Sequence, residues 1–254
     1  MSDSRSHAIR FVLVAPRYGG NVGATARVLK NFGFSRMGVV DPREGVDHEQ
    51  ARRMAVDAAD VLAMATTHAT FDEALAGAAT VIGTSRRMGK HRQPHHRLDA
   101  LAPLVAGLAS RGDVALAFGR EDHGLADADL DRCTHLVYVP TSAEYPALNV
   151  AQTVAIVAYE VRRALDASDP PVLDADDEAL VDHASREAMF AHLEEALLTI
   201  GFLKTGQLKG MMRRLRRILQ RAELSAGDVD VVRGISRQIL WLARQARLPH
   251  PKRP

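Results

Sequence analysis

Short apolar runs alternate with longer amphipathic stretches over the first two thirds of the chain. The runs are almost continuously apolar and are bounded by turn residues, which is typical of strands covered on both faces. The pattern predicts strands at about 9–14, 37–40, 80–83, 114–118 and 135–139, and helices near 22–32, 50–64, 72–76, 98–109 and 150–165. Alternation of this kind predicts an α/β fold, with a parallel sheet and helices on both of its faces.

The last third of the chain has a different composition. Segment 166–182 holds seven acidic residues, no lysine or arginine, and the pair Pro170–Pro171. This predicts an acidic linker at 166–177 between an α/β domain at 1–165 and a helical domain at 178–254. Within the second domain, apolar periodicity predicts helices at about 178–203, 208–222 and 229–246.

The net charge of +2 conceals a strong asymmetry between these parts. Residues 200–254 hold thirteen Lys/Arg and three Asp/Glu, a net charge of +10, whereas residues 1–199 carry −8. Such asymmetry predicts a polyanionic partner, with RNA, DNA and an anionic membrane surface as candidates. The single Cys133 excludes an internal disulfide, and the N-terminus lacks the apolar core of a signal peptide, so we expect a cytoplasmic protein.

The middle predicted helix of the tail, at 208–222, is strongly amphipathic. One face is apolar and the other is basic, and there is no acidic residue between Lys204 and Arg221. Uncompensated like charge favours phosphate contact over a merely solvated face or membrane adsorption. The residues that we expect to contact phosphate are Lys209, Arg213, Arg216 and Arg217.

Three polar segments lie at strand-to-helix corners, at 21–27, 118–125 and 145–152. Because each lies next to a strand end, we expect them to form one site at a single edge of the sheet. Residues 18–23, at the first of these corners, also mimic a dinucleotide-binding fingerprint. Tyr18 stands where that fingerprint has its first glycine, which disfavours a nicotinamide enzyme.

A basic loop follows the third predicted strand, at 86–97. We expect Arg86, Arg87 and Lys90 to face RNA, with solvated charge as the alternative. His91, His95 and His96 also lie in this loop, but there is no carboxylate or cysteine among them. We therefore expect no metal site.

Taken together and in this order, the three corners resemble the motifs of the SpoU branch of the SPOUT RNA methyltransferases. The first motif is carried by Asn21, Gly23 and Arg27, the second by 118–125 and the third by 145–149. The resemblance covers about residues 8–165. The loop at 84–87 and the helical tail resemble those of TrmJ-type tRNA 2′-O-methyltransferases.

The resemblance implies a SPOUT-type sheet with a C-terminal trefoil knot, a homodimer and S-adenosylmethionine as cofactor. It also implies methylation of a tRNA ribose 2′-hydroxyl at nucleotide 32, in cytidine or uridine. The alternatives are the same reaction on ribosomal RNA and a non-catalytic RNA-binding protein. The residues that it places at the cofactor are Thr84, Ser85, Arg86, Gly119, Gly124, Val139, Pro146, Ala147 and Leu148.

The resemblance also places Arg27 at the ribose, and we expect Asn21, Glu121 and Asn149 to complete the catalytic site. The alternative for each asparagine is a role only as a helix cap. A guanidinium stays protonated near neutral pH, so we expect Arg27 to grip phosphate and to stabilise alkoxide character rather than to act as a base. Asn21 would cap its helix and orient the ribose, and Glu121 would hold Arg27. Ala147 departs from the family pattern, which often has serine there, so only a backbone role is expected of it.

Overall fold

The computed structural model describes residues 4–86, 95–167, 178–204 and 207–246. It contains seven strands, which are β1 (Ile9–Val14), β2 (Arg36–Val40), β3 (Thr66–His68), β4 (Thr80–Thr84), β5 (His95–Arg97), β6 (Val114–Phe118) and β7 (His135–Tyr138). All of their pairings are parallel, and the strand order is β3-β2-β1-β6-β4-β7-β5. The predicted α/β fold is confirmed.

The described residues form helices on both faces of the sheet and in the tail. They are α1 (Ser4–His7), α2 (Gly19–Asn31), α3 (Glu49–Ala55), α4 (Ala59–Ala63), α5 (Phe71–Ala74), α6 (Leu98–Arg111), α7 (Asp127–Leu130), α8 (Val150–Ala167), α9 (His183–Thr199), α10 (Leu208–Gln220) and α11 (Ala226–Gln245). Side chains of a strand alternate between its two faces. Phe11 and Leu13 of β1 therefore pack with α2, α6 and α8, whereas Val12 packs on the other face with α5.

Three expectations from the sequence were wrong in detail. The sequence pattern does not indicate the short edge strands β3 and β5, and it predicts a loop at His95–Arg97. Edge strands can carry polar side chains, because only their backbone must pair. The helix expected at 50–64 is broken into α3, a turn of 3₁₀ helix and α4, at Val56, whose φ is +51°.

Strand β6 pairs with β1 and β4, although it is sixth in the chain. The strand order therefore reverses at this point in the sheet. The loops on either side of it diverge and leave a crevice at the carboxyl ends of the strands. The trefoil knot implied by the resemblance stays a prediction, because strand order alone does not test it.

The helical tail docks on the α/β domain of its own chain, at the amino ends of β4, β6 and β7. The backbone N–H of His183 donates to the carbonyl of Ala78 at 2.8 Å. The buried Arg186 donates to the carbonyls of Ala79, at 2.9 Å, and Val181, at 3.2 Å. Asp182 accepts the N–H of Ser185 and so caps α9. The acidic linker is a prediction that mostly lies outside the described residues, although 166 and 167 belong to α8.

Ion pairs extend this docking to the basic helix α10. Arg213 pairs with Asp131, at the end of α7, at 2.8 Å. Arg216 pairs with Glu187 of α9, and its guanidinium lies 4.3 Å from the centre of the Phe190 ring. Both pairs are partly buried, so the first holds α10 against the α/β domain, and the second holds it against α9, more firmly than a fully exposed pair would.

The domain contact gives the fold a pH-sensitive group. Burial lowers the pKa of His135, the first residue of β7, from 6.5 to about 4. Between these two pH values, His135 binds a proton in the unfolded chain but not in the folded chain. The free energy of unfolding should therefore fall as the pH drops from 6.5 toward 4, by up to roughly 3 kcal/mol.

Urea unfolding across this pH range, on the wild type and on His135→Gln, measures the effect. We expect a shallower loss in the variant, with a remainder from His96 and His183, whose pKa values burial also lowers. Identical slopes in the two proteins would contradict the assignment.

Candidate active site

A crevice opens at the carboxyl ends of β4, β6 and β7, and the loop that leads into α8 closes it on one side. Its walls are formed by 84–86, 118–125 and 137–139, with further residues from 141–153. All nine residues expected to contact a cofactor line it, which are Thr84, Ser85, Arg86, Gly119, Gly124, Val139, Pro146, Ala147 and Leu148. The carboxyl edge is where α/β sheets bind ligands, because the loops of neighbouring strands diverge there.

Gly119 allows the crevice to form. A Cβ atom on this residue would lie 2.0 Å from the carbonyl carbon of Gly124 and 2.0 Å from the nitrogen of Leu125. The loop after β6 therefore folds back directly onto the strand end, and the N–H of Gly124 donates to the carbonyl of Arg120 at 2.8 Å. Gly124 has a φ of +70°, the left-handed region that favours glycine.

Hydrogen bonds join the three corners at the rim of this crevice. The amide of Asn21 donates to Oε1 of Glu121 at 2.7 Å, and the amide of Asn149 donates to Oδ1 of Asn21 at 3.0 Å. The other carboxylate oxygen of Glu121 accepts the backbone N–H of Arg17 at 3.1 Å. We call Glu121, Asn21 and Asn149 the polar triad. It connects α2, the loop after β6 and α8.

The two asparagines play different structural parts. Asn149 is the N-cap of α8, since its Oδ1 accepts the N–H of Ala151 at 2.8 Å and that of Gln152 at 3.4 Å. Asn21 is not a cap, contrary to expectation. The helix begins earlier, at Gly19, and the N–H of Asn21 bonds to the carbonyl of Tyr18 at 3.0 Å. The side chain of Asn21 is therefore available to bridge Glu121 and Asn149.

Arg27 lies outside the crevice of its own chain. It is exposed on α2, six residues and about 9 Å of helix rise beyond Asn21. Among the described residues it forms no hydrogen bond or ion pair, and Glu121, expected to hold it, accepts from Asn21 and Arg17 instead. The structure thus brings three of the four predicted catalytic residues together and leaves Arg27 apart.

A second charged cluster lies in the wall of the crevice, and the sequence reasoning missed it. Asp122 accepts two hydrogen bonds from Arg120, at 2.8 and 3.0 Å, and one from Arg17 at 2.7 Å. The hydrogen bonds from Arg120 hold the pKa of Asp122 well below its usual range. The acid directly after Glu121 was the available signal. Its pairing partner Arg17 is too far away in sequence to be recognised.

Three hydroxyl-bearing residues of the crevice were also missed, namely Tyr138, Thr141 and Thr153. The hydroxyl of Thr141 donates to the carbonyl of Pro146 at 3.3 Å, and that of Thr153 donates to the carbonyl of Asn149 at 3.0 Å. Both bonds fix the backbone of the loop that closes the crevice. Only the i+4 spacing of Thr153 from Asn149 could have indicated this.

The residues expected to bind RNA divide into three groups. Arg86 is exposed at the crevice, whereas Arg87 and Lys90 lie outside the described residues. Lys209 is exposed and Arg217 half-buried on α10, and neither is in an ion pair within the described part of the chain. Arg213 and Arg216 are engaged by Asp131 and Glu187, as described above.

The described residues do not indicate a metal site, a reactive thiol or a membrane-spanning helix. They contain no group of three or more histidine, cysteine or acidic residues that could hold a metal ion. Cys133 is buried, its thiol donates to the carbonyl of Asp129 at 3.3 Å, and burial raises its pKa, so it packs rather than reacts. No helix in these ranges is long and apolar enough to cross a membrane.

Comparison with known proteins gives matches over both parts of the chain. Residues 8–159 match the SpoU rRNA Methylase family, and residues 184–250 match the tRNA methyltransferase TrmJ, C-terminal domain. The chain is 37% identical to the tRNA (cytidine/uridine/adenosine-2′-O-)-methyltransferase TrmJ of Pseudomonas aeruginosa, covering 93% of this chain and 95% of that protein.

Two solved structures extend the comparison. The crystal structure of TrmJ from Z. mobilis superposes with a TM-score of 0.78 at 29% identity, covering 91% of this chain and 98% of that one. A more distant neighbour is the AdoMet-bound rRNA methyltransferase from Sinorhizobium meliloti. Its TM-score is 0.50 at 21% identity, over 62% of this chain and 56% of that one, which indicates a shared fold alone.

The double role of Asn149 can be tested by substitution. Asn149→Ala removes both the cap and the bond to Asn21, so we expect the free energy of unfolding to fall by about 1–2 kcal/mol. Asn149→Ser keeps a capping oxygen and should recover about half of the loss. Urea unfolding of the three proteins gives the comparison. Equal stability of Asn149→Ala and the wild type would show that α8 does not depend on this residue.

Proposed function

Because the chain belongs to the SpoU family of RNA methylases, we propose that it transfers a methyl group from S-adenosylmethionine to a ribose 2′-hydroxyl of tRNA. The observation that carries this proposal is the polar triad at the rim of the glycine-lined crevice. It brings residues from all three motifs to one edge of the sheet. The match of the tail to the TrmJ C-terminal domain favours tRNA over ribosomal RNA. We further propose nucleotide 32, in cytidine or uridine, as the target.

The crevice suits S-adenosylmethionine, which supplies a methyl group already activated on a sulfonium. The backbone of Gly119 lies in the crevice wall, where an adenine edge can approach it, and Val139 and Leu148 offer apolar contact. Ser85 is held rigidly, since its N–H donates to the carbonyl of Val137 at 2.9 Å and its carbonyl contacts the ring of His95 at 2.8 Å. Ala147 contributes no hydroxyl, so its part is that of backbone.

For methyl transfer to an alcohol, the protein must align the hydroxyl and stabilise the negative charge that develops on its oxygen. The polar triad supplies the alignment. Each asparagine is fixed by a hydrogen bond to its neighbour, so little reorganisation is needed when the ribose binds. Arg27 supplies positive charge for a phosphate and for the ribose oxygen as its bond to carbon forms. The carbon–sulfur bond breaks in the same step, S-adenosylhomocysteine leaves, and the hydroxyl proton passes to water, because a guanidinium cannot accept it.

Arg27 acts, in this proposal, on the crevice of a second subunit. It does not line the crevice of its own chain, and its guanidinium has no partner within the described residues. On α8, the neighbour of α2, Ile156 and Tyr159 are 36% and 51% exposed, and Phe32 contacts Tyr159 edge-on. This uncovered apolar surface supports a homodimer whose interface lies beside α2.

The tail supplies affinity for the tRNA backbone. Since Arg213 and Arg216 are engaged in ion pairs, we assign the phosphate contacts of α10 to Lys209 and Arg217 together with Arg214 and Arg221, which are exposed. Contacts of this kind give binding without reading sequence. Recognition of the target nucleotide then falls to the crevice and its rim.

The experiment is to incubate tRNA with the protein and labelled S-adenosylmethionine and to map the product by nucleoside mass spectrometry. We expect a 2′-O-methylated pyrimidine at nucleotide 32. Arg27→Ala should lower turnover about 100- to 1,000-fold with unchanged cofactor affinity. Absence of any 2′-O-methylated nucleoside from the wild-type reaction would overturn the proposed function.

Mixed dimers separate action within a subunit from action across the interface. Arg27→Ala keeps the crevice and Gly119→Ala keeps the arginine, so co-expression of the two gives dimers with one complete site only if Arg27 serves the partner. Random pairing should restore roughly a quarter of wild-type turnover. If the mixture is as inactive as either variant alone, Arg27 acts within its own subunit.

A further inference from the structure

We propose that Trp241 is an RNA-binding residue that stacks on an unpaired base of the bound tRNA, flanked by Arg237 and Arg244. This inference rests on the proposed function, and it assigns to α11 a role that the basic helix α10 does not fill. It concerns a surface of the tail that is remote in sequence from all three motifs of the crevice.

The three side chains form a row on one face of α11. Positions 237, 241 and 244 have the i, i+4, i+7 spacing that places side chains one above another on a helix. Trp241 is 51% exposed, and both arginines are exposed. An exposed tryptophan is unusual on a protein surface, since its large apolar area is normally buried at least in part. This one therefore points to a contact that no residue in the described part of the chain makes.

The charge around Trp241 indicates what that contact is. From Val231 to Ala246 the helix has three arginines and no acidic residue. Neither Arg237 nor Arg244 forms an ion pair or hydrogen bond with any residue that the structure describes. By contrast, Arg213 and Arg216 of α10 are both paired. The free guanidinium groups are therefore available to phosphates on either side of the indole.

A row of arginine, tryptophan and arginine matches single-stranded nucleic acid. Unstacked bases bind proteins by lying on aromatic rings, while cationic side chains hold the backbone on both sides. A folded tRNA offers such bases in its loops. The apolar residues Val231, Ile235 and Leu242 lie on a different side of α11, so the row is distinct from that apolar surface.

Trp241 is the only tryptophan of the chain, so its fluorescence reports on this position alone. The first measurement is the emission of the full-length wild type during titration with tRNA and with an RNA duplex that has no unpaired bases. We expect tRNA to quench the emission and to protect the indole from iodide, whereas the duplex should do neither at equal occupancy.

The second measurement is the affinity for fluorescently labelled tRNA, by anisotropy, as a function of salt. Trp241→Ala should weaken binding about 5- to 100-fold and leave the salt slope unchanged, because no charge is lost. Trp241→Phe should retain most of the affinity. Arg237→Ala and Arg244→Ala should each lower the slope by about 1. Leu242→Ala, the equally exposed neighbour, is the matched control and should bind as the wild type does.

The outcomes separate this inference from the proposed function. If tRNA is bound and methylated while Trp241 stays unquenched and Trp241→Ala binds normally, the stacking role is wrong and the proposed function stands. Quenching by anionic vesicles but not by tRNA would identify a membrane contact instead, and quenching that depends only on protein concentration would identify a contact between copies. Failure of the wild type both to bind and to methylate tRNA would remove the proposed function as well.

Discussion

The hydrogen bonds of Asn21 with Glu121 and with Asn149 join residues that are 100 and 128 positions apart in sequence. A bond of this kind contributes only about 0.5–1.5 kcal/mol net, and somewhat more when one partner is charged. Its loss costs more than that figure suggests, because the remaining carboxylate or amide is left partly buried without a partner. The polar triad thus makes the position of each loop depend on the other two, and the crevice that they border keeps its shape.

The central strands were predictable from sequence because burial on both faces imposes a nearly continuous apolar run. Strand β5, His95–Arg97, has no such signal, since an edge strand needs only backbone partners and its side chains are polar. The break at Val56 was also invisible. It depends on a positive φ at a β-branched residue, which the surrounding packing imposes against local preference.

The candidate site was predictable to a similar extent. Every expected cofactor contact lies in the crevice, because parallel strands bring their carboxyl ends to one edge. Ion pairs were the feature of the site that the sequence predicted least well. In the sequence, Arg213 and Arg216 belong to a basic face without acidic partners. In the structure they form ion pairs with Asp131 and Glu187, and Asp131 is more than eighty residues away from Arg213. Pairings over such distances depend on tertiary structure that periodicity does not encode.

The proposed function assigns chemistry and RNA affinity to opposite edges of the sheet. The crevice lies at the carboxyl edge of the sheet, whereas the tail docks at the amino edge, so a single RNA must reach around the domain or across a dimer to contact both. In the proposed function, the crevice binds S-adenosylmethionine through the close approach of Gly119 to Gly124. Calorimetric titration of the cofactor into Gly119→Ala and Gly107→Ala tests it, because an added Cβ meets backbone at 2.0 Å in the first and nothing within 4 Å in the second. We expect that binding is lost in Gly119→Ala and unchanged in Gly107→Ala, and equal affinity in the two variants would contradict this cofactor site.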